Sequence, residues 1–430
     1  MVFLIIALLP GTSVFARDSV NEPTGLYSGA AVLMDGASGR VLFQKDGEKA
    51  MAMASTTKIM TCILVLEEGN LDDRASVSAY AASMPKVKMY ASKGETYEVR
   101  NLLFSMMLES HNDSAVVLAE YIGREYLEEE LRQKDVSEYT PDQSKAAVRA
   151  FAKLMNQKAM ELGCKDTWFI TPNGLDATET LTAPSGETIQ MEHKTSARDL
   201  ARIMAYCVNQ SPCRDVFREI TRTESYTFCD NARTVTCRNH NTFLQMMEGA
   251  FSGKTGFTNK AGYCYVGALE RDGRSFIIAL LACGWPNHRN YKWQDAGKLF
   301  GYGLEYYFYH SFDEDLLSVS QLPAVRIPVD NGQTRFLGQK AYAQVEILRE
   351  AQPKLPGILL RSDEEIQVTC QLEKKLSAPV YQGEEVGQIQ YCLDGKTYLT
   401  EKVVLKGSVA KIDLNWCILQ VFRRFLFCTV

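Results

Sequence analysis

Residues 54–68 read ASTTKIMTCILVLEE, and the lysine inside this stretch decides the fold. Lys58 follows Ser55 by three residues and leads into a run that is apolar on nearly every side. The run predicts a helix from about Ser55 to Glu68, stopped by Gly69. An unpaired buried ammonium costs several kcal/mol or gives up its proton. Residues three apart share a helix face, so Lys58 Nζ is expected to reach Ser55 Oγ. A lysine so buried can act as a neutral base, and the helix N-terminus favours negative charge developing at the serine.

Ser-x-x-Lys is common, and two further segments make it specific. It recurs at Ser83–Lys86, broken by Pro85, and at Ser408–Lys411 in the tail region. Ser110-His111-Asn112 is a polar break between the helical runs VRNLLFSMMLE (99–109) and DSAVVLAEYIG (113–123), where Asn112 and Asp113 can cap the second helix. Lys254-Thr255-Gly256 occurs once and heads KTGFTNKAGYCYVGALERDGRSFIIALLACG, which reads as strands joined by an Arg-Asp-Gly-Arg turn. Residues 30–46, AAVLMDGASGRVLFQKD, give a further hairpin.

In this order the three elements match the pattern of penicillin-binding proteins and serine β-lactamases. The chain resembles the low-molecular-mass penicillin-binding proteins that act as D-alanyl-D-alanine carboxypeptidases. FITPNGLD (169–176), SARDLA (196–201), Asn239-His240-Asn241 and GKTGFTNKAGYC (253–264) extend the resemblance over most of the chain. It implies an α+β fold of the β-lactamase/transpeptidase-like kind, an antiparallel sheet flanked by helices, over residues 28–314. It also implies roles. Ser55 would be the acylated nucleophile, Lys58 its base, and Ser110 the relay of a proton to the leaving D-alanine. Asn112 would bind a substrate amide, and Lys254, Thr255 and Gly256 would line the wall near the substrate carboxylate. The backbone N–H groups of Ser55 and Phe257 would form an oxyanion hole, each donor worth about 3 kcal/mol. Arg289 reads equally as a partner of the terminal carboxylate and as a surface residue.

The implied activity is removal of the terminal D-alanine from peptidoglycan stem peptides, with β-lactam antibiotics as covalent inhibitors and no metal or organic cofactor. A β-lactamase, a D,D-endopeptidase and a catalytically silent wall-binding protein are the alternatives. The chain departs from the resemblance at His111, where a small residue is usual; the bland reading points its ring to solvent, and the other narrows the cleft. Residues 126–148 and 177–195 are longer than expected and read as surface insertions, the second with the alternative that it overhangs the site.

The remaining sequence sets the surroundings. A length of 430 residues suggests two domains, and a net charge of −5 without a long basic run gives no expectation of nucleic-acid binding. Residues 1–16, MVFLIIALLPGTSVFA, resemble a secretory signal peptide, too short to cross a bilayer, which would put the protein outside the cytoplasmic membrane; a buried strand is the alternative. The twelve cysteines are scattered without a CxxC pair and read as core residues, and the five histidines show no HxH or HExxH spacing. Short alternating runs such as AVRIPVD, YAQVEIL and EEVGQIQYCL predict a small all-β domain over 315–410. In residues 411–430, Leu414, Ile418, Val421, Phe422, Phe425 and Leu426 share one helical face opposite Asp413, Gln420 and Arg424. That pattern suits a helix lying in a membrane surface, with a helix docked on the β domain as the alternative.

Overall fold

Strand alternation and one buried helix organise the larger of two units. The computed structural model describes residues 3–7, 21–182, 186–315, 325–348 and 357–426. The chain divides into Val20–Tyr306 and a second unit of Tyr307–Val430 with Met1–Ser19. In the first, Ala30–Asp35 (β1), Val41–Lys45 (β2), Ala250–Thr258 (β3), Gly262–Arg271 (β4) and Arg274–Leu281 (β5) form an antiparallel sheet in the order β3-β4-β5-β1-β2. Successive side chains point to opposite faces. Val32 and Met34 therefore enter the main helical core, while Leu33 and Phe276 meet Gly303 of the helix Tyr291–Tyr306. Both faces are covered, which explains why Phe276–Leu281 is an unbroken buried run.

The helix Lys58–Glu68 (α1) is buried continuously from Lys58 to Leu66, as expected of a helix that is apolar all round. Around it pack Val99–Leu108 (α2), Asn112–Gly123 (α3), Pro141–Glu161 (α4) and Ala197–Ala205 (α5). Residues 126–148 are mostly exposed and partly helical, as expected, and they carry a local core of their own. Val136, Tyr139 and Ala147 form a small local core with Leu127 and Leu131. A capping box of Thr140 and Gln143, with Pro141 in the first turn, starts α4 early and runs it for 21 residues. Within 177–195, Thr178–Thr182 and Thr188–Glu192 pair as a hairpin of mostly exposed residues.

Among the described residues, the second unit is all β apart from Phe312–Asp315 and the last helix. Its seven-stranded sheet has Lys396–Leu405 between Glu385–Leu393 and Ala341–Leu348, over a core that includes Val345, Ile389, Tyr391 and Val403. Phe308–Ser311 pairs with Gly357–Leu360, so Tyr307–Asp315 belong here, whereas the sequence pattern drew the boundary at 314/315. Of the expected leader, only the backbone of Phe3–Ala7 is described, as a strand beside Gln367–Glu373; the cleavage pattern Val14-Phe15-Ala16 lies outside the described residues. Leu414–Leu426 forms the final helix.

Candidate active site

The residues Ala54–Thr57 form a 3₁₀ turn, and α1 begins only at Lys58. This differs from the α-helix expected from Ser55 and has a geometric consequence. Side chains three apart eclipse one another in a 3₁₀ turn, so Ser55 and Lys58 are brought into register. Lys58 Nζ lies 2.8 Å from Ser55 Oγ, 2.9 Å from Asn112 Oδ1 and 2.6 Å from the Asn173 carbonyl oxygen. Lys58 is fully buried. Burial first, and the nearby Lys254 second, hold its pKa well below the usual lysine range, while Asp113 acts in the opposite sense. A neutral amine offers two N–H donors and one lone pair, which suits two oxygen acceptors and a serine O–H.

Across the cleft, Lys254 Nζ on β3 sits 3.0 Å from Ser110 Oγ and 2.9 Å from the Thr255 carbonyl. Lys254 is also buried, which lowers its pKa to about 7. Ser110 has φ +65° and Ala54, just before the serine at 55, has φ +50°. Non-glycine residues in this region store strain, and both sit where the side chains of the site are aimed. Gly256 lets β3 close on the turn, because a Cβ there would lie 2.9 Å from the Ser55 nitrogen.

Asn112 is tied to the segment before α2: its N–H donates to Val87 O at 2.8 Å and its Nδ2 to Pro85 O at 3.2 Å. Asp113 accepts from the N–H groups of Met89, Ala91 and Ser114. His111 does not point to solvent. It is half-buried, with Nδ1 2.8 Å from Ser105 Oγ in α2, and it is absent from the cleft wall.

Ser55, Ser110, Asn112, Thr255, Gly256, Phe257 and Arg289 all line a cleft of about 1060 Å³, with Lys58 and Lys254 buried beside it. Arg289 is exposed at its rim. The structure adds a lysine that sequence reasoning missed. Lys292 lines the same wall at 7% exposure, lies over the rings of Tyr263 (4.7 Å) and Trp293 (4.5 Å), and donates to Arg289 O. Burial lowers its pKa to about 8. A lysine flanked by aromatics in NYKWQ was the available signal. FITPNGLD marked the segment that holds Asn173, but not the role of its carbonyl nor His193, which braces that segment. Glu109 and His240 pair at 3.0 Å on the rim. Among the described residues, no group of three His, Cys, Asp or Glu side chains could hold a metal ion.

A family profile described as D-alanyl-D-alanine carboxypeptidase matches residues 17–126 and 142–283, and leaves out most of the 126–141 segment. A second, described as the C-terminal domain of penicillin-binding protein 5, matches 361–411. The D-alanyl-D-alanine carboxypeptidase DacF of Bacillus subtilis is 26% identical over 424 residues, covering 95% of this chain and 92% of that protein. The D-alanyl-D-alanine carboxypeptidase DacB2 of Mycobacterium tuberculosis is 31% identical over 278 residues, 64% of this chain and 81% of that one. The crystal structure of penicillin binding protein 5 from Haemophilus influenzae superposes with a TM-score of 0.63 at 22% identity, covering 90% of this chain and 99% of that one, which establishes the fold.

Proposed function

The chain belongs to the D-alanyl-D-alanine carboxypeptidase family, and from that premise we propose that its chemistry runs through an acyl-enzyme on Ser55. The protein is a serine hydrolase that removes the terminal D-alanine from peptides ending in D-Ala-D-Ala. One observation carries the site assignment: a fully buried amine, Lys58 Nζ, 2.8 Å from the Ser55 hydroxyl.

Neutral Lys58 takes the Ser55 proton as Oγ attacks the penultimate carbonyl carbon. The N–H groups of Ser55 and Phe257 receive the oxyanion. Ser110, beside Lys254 Nζ, passes a proton to the departing D-alanine nitrogen, and water then cleaves the ester on Ser55. The terminal carboxylate meets Lys254, Thr255 and the cations Lys292 and Arg289, while Asn112 holds an amide of the stem peptide. A β-lactam presents the same carbonyl and carboxylate, so it acylates Ser55 and stays bound.

Work at peptidoglycan outside the cytoplasmic membrane suits this substrate class, as does removal of residues 1–16 on export. The final helix supports attachment to the membrane surface. Gln420 on its polar side is buried against Arg335 O, and Trp416 Nε1 donates to Thr334 O. Leu414, Ile418, Val421 and Phe422 are left 45–75% exposed, with Arg423 and Arg424 available for anionic head groups. The side chains of Phe425 and Leu426 lie outside the described residues. Among the described residues, no helix is long and apolar enough to cross a membrane.

The test is release of free D-alanine from a peptide ending in D-Ala-D-Ala, with Ser55→Ala as the control. Release and penicillin labelling that both vanish in the variant support the assignment. A folded wild type that releases nothing would sink it, and cleavage of cross-linked peptides or turnover of the β-lactam would name the replacement.

A further inference from the structure

One imidazole joins the two segments that meet at Ser55. His193 is 3% exposed, and its Nδ1 accepts from the backbone N–H groups of Ile170 at 3.0 Å and Thr171 at 3.4 Å. A nitrogen that accepts from N–H donors carries no proton, so the ring proton must sit on Nε2. Nε2 then donates to Thr57 Oγ1 at 2.8 Å, and the Thr57 hydroxyl donates to Ala54 O at 2.8 Å. Ala54 and Thr57 are the two ends of the turn that carries Ser55.

The other arm ends at the same place. Two residues beyond Thr171, the Asn173 carbonyl accepts from Lys58 Nζ at 2.6 Å and lies 3.4 Å from Ser55 Oγ. The segments are seated closely, since a Cβ on Gly174 would lie 2.0 Å from Ala54 O. Protonating Nδ1 would set an N–H against two N–H groups. Burial holds the ring's pKa down to about 3, so it stays neutral across the working range.

We propose that His193 is a positioning residue for acylation: its neutral, Nε2-protonated ring sets the spacing between the Ser55 turn and the Asn173 carbonyl, and so the approach of Lys58 Nζ to Ser55 Oγ. The inference rests on the Ser55–Lys58 reading above. A ring serving only to fill space would need its shape but neither nitrogen.

The test follows acylation of the full chain by a fluorescent penicillin, separating the binding constant from the acylation rate constant, with rates scaled to the folded fraction from circular dichroism. His193→Asn keeps an acceptor where Nδ1 stands but cannot reach Thr57. Thr57→Val removes the link from the other end, and Thr57→Ser keeps the hydroxyl. His193→Asn and Thr57→Val should each lower the acylation rate constant roughly 10- to 100-fold, leave binding near the wild-type value, and cost no more together than singly. Thr57→Ser should acylate at close to the wild-type rate. Rates within about twofold of wild type in either variant would overturn the proposal, as would effects that multiply in the double variant. If His193→Asn does not fold, Thr57→Val against Thr57→Ser decides alone, and equal rates there count against it. A folded wild type that takes no label would overturn the Ser55 reading, and this one with it.

Discussion

Two buried lysines share the cleft, and each holds its proton more weakly than a lysine in water. In the proposed mechanism Lys58 works as the neutral form, so acylation should fall as pH drops through its lowered pKa. In the same mechanism Lys254 would serve the substrate carboxylate as the charged form, present below about 7 in the free enzyme. The profile of kcat/KM, which reports free-enzyme groups, should therefore be a bell with its alkaline limb near that value. Lys254→Met should move the alkaline limb up toward pH 8, where Lys292 loses its proton, and lower kcat/KM at pH 6 by roughly 10- to 100-fold, the worth of a charged hydrogen bond. Because Lys254 also depresses Lys58, the same change should move the acid limb to higher pH. An unmoved acid limb would argue against that coupling. Ser110 offers a second test, since its φ of +65° suits glycine. Ser110→Gly should melt higher than Ser110→Ala by about 1 kcal/mol, while both lose D-alanine release. Equal melting points would show that the backbone relaxes there.

At the scale of elements, the site is a meeting of one helix start, one interhelical break and one strand. The hairpin of Thr178–Thr182 and Thr188–Glu192 stands apart from these. Its base is closed by His193 N donating to Ala177 O at 2.9 Å, and its residues are mostly exposed. Replacing residues 178–192 with a short Gly-Ser linker should cost about 1 kcal/mol or less, because no large apolar side chain leaves the core. Penicillin labelling should persist. A folded deletion that no longer labels would instead make the hairpin part of the substrate wall.

For the whole molecule, the open question is where it works. The full chain should sediment with vesicles containing anionic lipid, and less so as salt screens Arg423 and Arg424. Ile418→Asp with Phe422→Asp removes two exposed apolar side chains, each worth roughly 1.5–3 kcal/mol when buried, and should lower partitioning at least tenfold without changing D-alanine release. Unaltered partitioning would place membrane contact elsewhere. Much of this arrangement was legible in sequence. Lys58 in an apolar run marked a buried amine, Gly256 and Lys254 marked the strand, and the spacing of Leu414, Ile418 and Phe422 marked the outward face. These signals are local: burial, backbone freedom and periodicity all act over a few residues. Tertiary structure alone decided the rest. The turn at Ser55 is 3₁₀ rather than α, His111 turns to Ser105, Lys292 joins the cleft wall, and the Asn173 carbonyl accepts a hydrogen bond from Lys58 Nζ on a segment braced by His193. Each depends on which distant backbone group comes within hydrogen-bonding reach, and the packing of the helices and sheet determines that distance.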